Sequence, residues 1–242
     1  MEIRAHGPGQ DPVRVAVTMR TPGGDFELAV GFLFTEGLIG PHDVRQVAYC
    51  EDVDAEDQRY NVITVALAER FDEDALHRNF FATSSCGVCG KAALEDVEVL
   101  CAPIPVGFHV PAATVIELPD RLRVAQRVFD RTGGLHASGL FTADGEAVSV
   151  REDVGRHNAV DKVIGEQLLA DAMPLADRIL QVSGRVSFEI VQKAAVAGIP
   201  VLSAVGAPSS LAVDAAQRLG VTVVGFVRTG GCNLYTYPDR VV

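Results

Sequence analysis

"RILQVSGRVSFEIVQKAAVAGIPVLSAVGAPSSLAVDAAQRLGVTVVGFV", residues 178–227, decides the fold class. Three short apolar runs, "RILQVSG", "VLSAVG" and "VTVVGFV", alternate with two helix-like runs, "SFEIVQKAAVAG" and "SSLAVDAAQRLG". Strand and helix alternating through short connections imply parallel strands with helices packed on the sheet faces. In such a sheet, ligands collect beyond the carboxyl ends of the strands. Those ends here are "SGRVS" at 183–187, "SAVGAPSS" at 203–210 and "RTGG" at 228–231. Glycines let backbone amides approach an anion, and helix N-termini add partial positive charge. Turns and helix caps account for the glycines and serines, but not for two arginines at strand ends. Ser183, Arg185 and Arg228 are therefore candidate ligands for a phosphate or nucleotide, with the guanidinium fork matched to phosphate oxygens. No Walker A loop and no GxGxxG is present.

Upstream, "LHASGLFTADGEAVSVRED" (135–153) reads as a hairpin turning at Asp144-Gly145. A helix from about Arg156 to Ala170 follows, with Val160, Val163, Ile164 and Leu168 as its buried stripe. His157 and Asp161 lie four apart, as do Asn158 and Lys162, so each pair shares a helical face expected to be polar. His136 in the hairpin and His157 in the helix are candidates to line the site. "PAATVIELP" (111–119) leads into a helix expected from Pro119 to about Arg131, with Leu122, Ala125, Val128 and Phe129 on one face. The N-terminal part reads as strand, helix, strand, strand. "VRVAVTM" (13–19) is a half-buried strand, Asp25 caps a helix through about Glu36, and "VRQVAYC" and "RYNVITVAL" are strands. The acidic run "EDVDAEDQ" (51–58) between them reads as a solvated loop. The whole reads as α/β: a mixed sheet flanked by helices, with a smaller α+β N-terminal part. The expected boundary, near Pro111 to Pro119, gives parts 1–115 and 116–242.

The formal net charge of −11 argues against nucleic acid as a partner. No apolar run approaches the ~20 residues of a membrane helix. The first residues lack a signal-peptide pattern. A cytoplasmic protein with reduced thiols is expected.

Five cysteines are present, two of them in "FATSSCGVCGKAAL" (80–93). Four readings of Cys86 and Cys89 compete. Half a zinc site needs two further ligands, and there is no second CxxC. A thioredoxin-like dithiol wants a βαβ unit around it. Inert packing suits a polar, Gly-rich loop poorly. Carriage of sulfur as a persulfide fits the local physics best. Lys91 and the start of a helix near Gly90 favour the thiolate, and a second thiol can relay or resolve the persulfide.

The segments "ELAVGFLFTEG", "TSSCGVCGKA", "TGGLHASGLF", "REDVGRHNAVDKVIG", "SGRVSFEIVQKAAVAGIPVLSAVGAPSS" and "GFVRTGGCNLYT" resemble the FdhD family, the sulfurtransferase accessory proteins of formate dehydrogenase. The resemblance runs along nearly the whole chain. It implies transfer of persulfide sulfur from a cysteine desulfurase to the bis(molybdopterin guanine dinucleotide) cofactor, making formate dehydrogenase active. It implies the persulfide on Cys86, with Cys89 as relay or resolving thiol, in a mobile loop spanning 83–91. It implies a guanine nucleotide part held by Phe226, Val227, Arg228, Thr229, Gly230 and Gly231, with Asn233 nearby. It also implies a cytidine deaminase-like core without zinc or any structural metal, and a homodimer. The chain has Cys232 where the family pattern has methionine and Thr229 where it has glycine. The rival reading is a nucleotide- or cofactor-binding chaperone whose CxxC only senses redox state.

Overall fold

The computed structural model describes residues 1–50, 60–74, 76 and 101–242. The CxxC loop, with Cys86 and Cys89, and the acidic run at 51–58 lie outside these residues.

Two sheets organise the described chain. The smaller has strand order β2-β1-β4-β3, built from β1 (Glu2–His6), β2 (Val13–Val17), β3 (Val44–Tyr49) and β4 (Val62–Leu67). β1 pairs antiparallel with β2 and parallel with β4, so this sheet is mixed. Sequence reading missed β1. With only Ile3 and Ala5 as apolar positions it is too short to show a period, yet both are fully buried and β1 is an inner strand. β2 is less apolar-facing than expected: Val15 is buried, while Val17 and Met19 are exposed.

The larger sheet has order β10-β9-β8-β7-β5-β6. β5 (His136–Phe141) and β6 (Ala147–Asp153) form the expected hairpin, with Gly145 at φ +78° in its turn. β7 (Ile179–Val182), β8 (Val201–Ala204) and β9 (Thr222–Arg228) are parallel to one another. β10 (Gly231–Leu234) folds back antiparallel on β9, and β5 runs antiparallel to β7.

One face of this sheet carries α4 (Arg156–Leu169), α5 (Phe188–Val196) and α6 (Ser210–Leu219), whose apolar stripes join the principal core. The opposite face packs on α2 (Ala112–Ala125) through Val115, Leu118 and Leu122, and α3 (Phe129–Thr132) follows it. The helix expected from Pro119 to Arg131 is therefore two. Pro111 precedes the first helical residue, where a missing N–H costs nothing, and the chain enters the helix there. Pro119 sits inside α2 instead of opening it. Leu122 is buried as expected, but Val128 is exposed because the chain has left α2 before reaching it.

α1 (Asp25–Thr35) lies between the small sheet and the α4–α5 layer and joins both to one core. Its sequence "DFELAVGFLFT" is apolar nearly all round, as a helix packed on two sides requires. Its start is set by Gly24, in the left-handed region at φ +65°, and not by an Asp25 cap. Asp25 instead pairs with Arg20 at 2.8 Å and accepts a hydrogen bond from Tyr49 at 3.2 Å. The contact between α1 and α4 is made backbone on backbone. A Cβ on Gly31 would overlap the Asp161 carbonyl, and one on Gly165 would overlap the Glu27 carbonyl.

The far end of the larger sheet is closed by Arg240, 1% exposed. Its guanidinium donates to the carbonyls of Ile104, Pro105, Pro200 and Gly220 and to the Thr222 hydroxyl, at 2.6–3.3 Å.

Gly31→Leu should lower unfolding free energy by about 3 kcal/mol or prevent folding, because the added atoms meet main chain that cannot rotate away. Urea denaturation measures this. An exposed change such as Val124→Ala, on the outer face of α2, should stay within about 0.5 kcal/mol.

Candidate functional site at the carboxyl edge of the larger sheet

The topology brings the predicted residues to one edge. β7, β8 and β9 all end there, and β5, running the other way, begins there with His136. β6 ends there too, since Asp153 pairs with His136. α4 starts three residues after Asp153, so Arg156 and His157 open on the same edge.

The three loops are knitted by main-chain hydrogen bonds. Gly206 N–H donates to the Gly184 carbonyl at 3.1 Å, Val186 N–H to Ala207 at 3.1 Å, and Phe226 N–H to Gly206 at 3.2 Å. A Cβ at Gly206 would crowd Gly184 and Arg185, so the 184 and 206 loops touch because that residue has none. Ser183 accepts from the Ala137 N–H at 2.9 Å, tying the His136 strand to the rim. His136 lies beside Gly184. Ser209 is spent as a helix cap, accepting from Ala212 N–H at 3.2 Å.

Phe226 sits at φ +54° and is 42% exposed. That backbone region is an outlier for a bulky residue, and such strain gathers at ligand sites. It occurs where the pairing of β9 with β10 shifts register. The shift places Phe226 and Arg228 on the exposed side and sends Val227, 1% exposed, into the core with Cys232 packed beside it. Only the main chain of Val227 can therefore meet a ligand. Thr229, Gly230 and Asn233 are exposed around the β9–β10 turn, and Gly231 is half-buried. Among the described residues no carboxylate pairs with Arg185 or Arg228, and both are exposed. Burial raises the Cys232 thiol above its ordinary value, which disfavours the thiolate.

The helical pairs of α4 were expected on a polar outer face. The structure buries Asp161 and Lys162 and leaves His157 and Asn158 half-buried, because Gly31 and Gly165 let α1 down onto that face. Lys162, 1% exposed, pairs with Asp153 at 2.8 Å and donates to the Thr21 carbonyl at 2.8 Å. Asp161, 1% exposed, pairs with Lys193 of α5 at 2.9 Å, and Lys193 also reaches Glu36 at 2.8 Å and the Thr35 hydroxyl at 2.9 Å. Burial disfavours the Lys193 ammonium, but Asp161 and Glu36 outweigh it and hold the group charged above the usual lysine range. Sequence reading missed Lys193 and Glu36. Nothing local marks them; only the docking of α1 on α5 brings them together.

This network floors a cleft of about 210 Å³, walled by Thr18, Phe32, His157, Asn158 and Glu189. His157 Nε2 lies 3.1 Å from the Ser187 hydroxyl and 3.8 Å from Glu189. The same nitrogen serves both, so this is not a relay through the imidazole. Burial lowers the His157 pKa to about 4, with Lys193 and Arg156 adding to the effect, and the ring is neutral at pH 7. Among the described residues no cluster of side chains is arranged to hold a metal ion.

The folded pKa of His157 lies below the ordinary 6.5, so between pH 6.5 and about 4 the unfolded chain binds a proton that the folded chain refuses. Stability is full above 6.5 and falls as pH drops through that window. Urea midpoints measured from pH 7 to pH 4 should decline, and His157→Gln should flatten this part of the decline.

The sequence model of the FdhD/NarQ family matches residues 10–242. The Sulfur carrier protein FdhD of Mycolicibacterium paratuberculosis is 53% identical, over all of this chain and 89% of that protein. The protein of the same name from the archaeon Sulfolobus acidocaldarius is 45% identical over 94% of this chain and 85% of its own length. A crystal structure from Desulfotalea psychrophila, assigned as a formate dehydrogenase accessory protein, shares the fold with a TM-score of 0.72 at 23% identity, covering all of this chain and 88% of that one.

Proposed function

This chain belongs to the FdhD/NarQ family, and on that premise we propose that it is a cytoplasmic sulfur carrier serving formate dehydrogenase. The observation that carries the reading is likeness over the full chain, at about half identity, to proteins named as sulfur carriers. The pathway we assign begins with a cysteine desulfurase persulfide. The Cys86 thiolate attacks its outer sulfur. A bond forms between Cys86 Sγ and that sulfur, the donor S–S bond breaks, and the donor leaves as a thiolate. Cys89 stands ready to relay or resolve the product. The acceptor is the bis(molybdopterin guanine dinucleotide) cofactor, a substrate and not a resident group.

The carboxyl edge supports the second half of this reading. It offers two exposed arginines with no carboxylate partner among the described residues, a glycine-rich rim and an exposed aromatic within one loop cluster, which suits a nucleoside diphosphate. Arg228 and Arg185 take phosphate oxygens in this proposal, with Phe226, Thr229 to Gly231 and Asn233 around them and Ser183 and His136 behind. A homodimer is the working assembly.

Intact-mass analysis after incubation with a cysteine desulfurase and cysteine tests the carrier. The parent protein should gain the mass of one sulfur atom and Cys86→Ala should not, with unchanged circular dichroism. Activation of formate dehydrogenase by Cys86→Ala at the parental level would remove Cys86 from the role and leave the redox-sensing chaperone.

Calorimetry with guanosine diphosphate tests the edge. Arg228→Ala should weaken binding by about 1.5–3 kcal/mol, the worth of a hydrogen bond to a charged group. Equal affinity would place the nucleotide elsewhere.

A further inference from the structure

The surface at the end of α2 has a charge opposite in sign to that of the chain. Residues 121–131, "RLRVAQRVFDR", hold four arginines and one aspartate, in a protein of net charge −11. Two of these arginines serve the fold. Arg121 pairs with Glu117 at 2.8 Å and donates to the Gly145 carbonyl at 2.6 Å, tying α2 to the β5–β6 turn. Arg123 pairs with Asp130 at 2.6 Å and lies over the Phe129 ring, 4.8 Å from its centroid. That pairing uses the aspartate of the stretch. Arg127 and Arg131 remain. Both are exposed, and among the described residues neither meets a carboxylate. In the same stretch Val124 is 84% exposed and Val128 39%.

The hairpin fixes where this surface lies. Glu152 of β6 reaches it, and its oxygens accept the Val128 and Phe129 N–H groups at 2.8 and 2.7 Å. The next residue, Asp153, is paired with His136 at the carboxyl edge. Arg131 is five residues from His136, at most about 18 Å along an extended chain. The basic surface therefore adjoins the rim.

Arginine is enriched at protein interfaces, where its stem covers apolar surface and its planar fork takes a carboxylate. Two free guanidinium groups call for carboxylates, and the exposed valines for apolar contact. A nucleic-acid backbone carries charge far beyond two arginines and would run onto the acidic remainder of the chain. A folded protein with an acidic patch needs to match this surface alone.

We propose that Arg127 and Arg131, with Val124 and Val128, dock an acidic surface of the enzyme that receives the cofactor. The proposal rests on the reading above, in which the carboxyl edge holds a cofactor bound for formate dehydrogenase, and it names the face that meets that enzyme. Docking beside the rim lays the acceptor against the cofactor before the cofactor is released. Exposed charges of this kind act mainly on the rate of association, which they raise by steering and which salt suppresses.

Surface plasmon resonance of the full chain against purified formate dehydrogenase lacking its cofactor, at low and high salt, tests this. Arg127→Glu with Arg131→Glu should slow association about tenfold at low salt and remove most of the salt dependence. Arg45→Glu with Arg70→Glu makes the same change in net charge at two exposed residues of the N-terminal part, and should stay within about twofold of the parent. The Arg127 and Arg131 variant should keep the parental urea midpoint, guanosine diphosphate affinity and sulfur uptake on Cys86. Parental association in that variant would overturn the proposal, as would an equal loss in both double variants, which would reflect net charge alone. Weakened guanosine diphosphate binding would assign the two arginines to the nucleotide edge, and lost sulfur uptake from the desulfurase would assign the face to the donor; either result also overturns it. If the variant activated formate dehydrogenase as fast as the parent, the proposal would fall and the reading beneath it would stand. If the parent neither took up sulfur nor activated the enzyme, that reading would fall and the proposal with it.

Discussion

Everything near the site depends on how closely α1 lies against α4. Gly31 and Gly165 each face a carbonyl of the opposite helix, with no room for a methyl group on either. That distance puts Asp161 within reach of Thr35 at 2.8 Å, alongside its pairing with Lys193, and the covered Lys162 is paired with Asp153. A wider spacing would let water in, and each buried charge would lose the partner that makes its burial tolerable. The two glycines thus set the electrostatics of a cleft that neither of them lines. The same approach holds the 18–21 segment over the start of α4, through Thr21 to Asp153 and Asn158 to the Met19 carbonyl.

The sheet edge and the buried network divide the chemistry between them. The edge is built from main chain: three loops cross-linked by N–H to carbonyl bonds, with arginines that meet no carboxylate among the described residues. It is rigid where a ligand's phosphates must be positioned and open where they must arrive. The network is built from side chains that pair with one another and lie almost fully buried at the floor of the cleft. A carrier must bind a bulky acceptor, hand over one atom and release it, and rigid loops on strand ends allow that without reorganising the core.

The parallel βαβαβ run was legible because each element is short, apolar and punctuated by glycine, and the rim residues follow from its topology alone. The hairpin at Asp144-Gly145 and the stripe of α4 were legible for similar local reasons. β1 was not, since two apolar residues carry no period. The extent of α2 was not, because Pro119 looks like a start signal and in fact sits within the helix. The burial of Asp161 and Lys162 was the largest departure. Their i,i+4 spacing describes a polar stripe on a helix, but whether another helix covers it depends on two glycines distant in sequence. Val227 shows the same limit at a finer scale, since only the register shift between β9 and β10 decides which of three consecutive residues points inward.

The Arg240 clasp bears on when the molecule can fold. Its guanidinium gathers acceptors from the segment before α2, from the start of β8, and from the join between α6 and β9. Those groups were synthesised up to 136 residues earlier. Until Arg240 leaves the ribosome, the floor of the larger sheet holds main-chain carbonyls with no donor in place. The small sheet and α1 involve no residue so late in the chain. In vectorial synthesis every one of these acceptors therefore precedes its donor, and the sheet that carries the proposed nucleotide edge is closed only once Arg240 has been added.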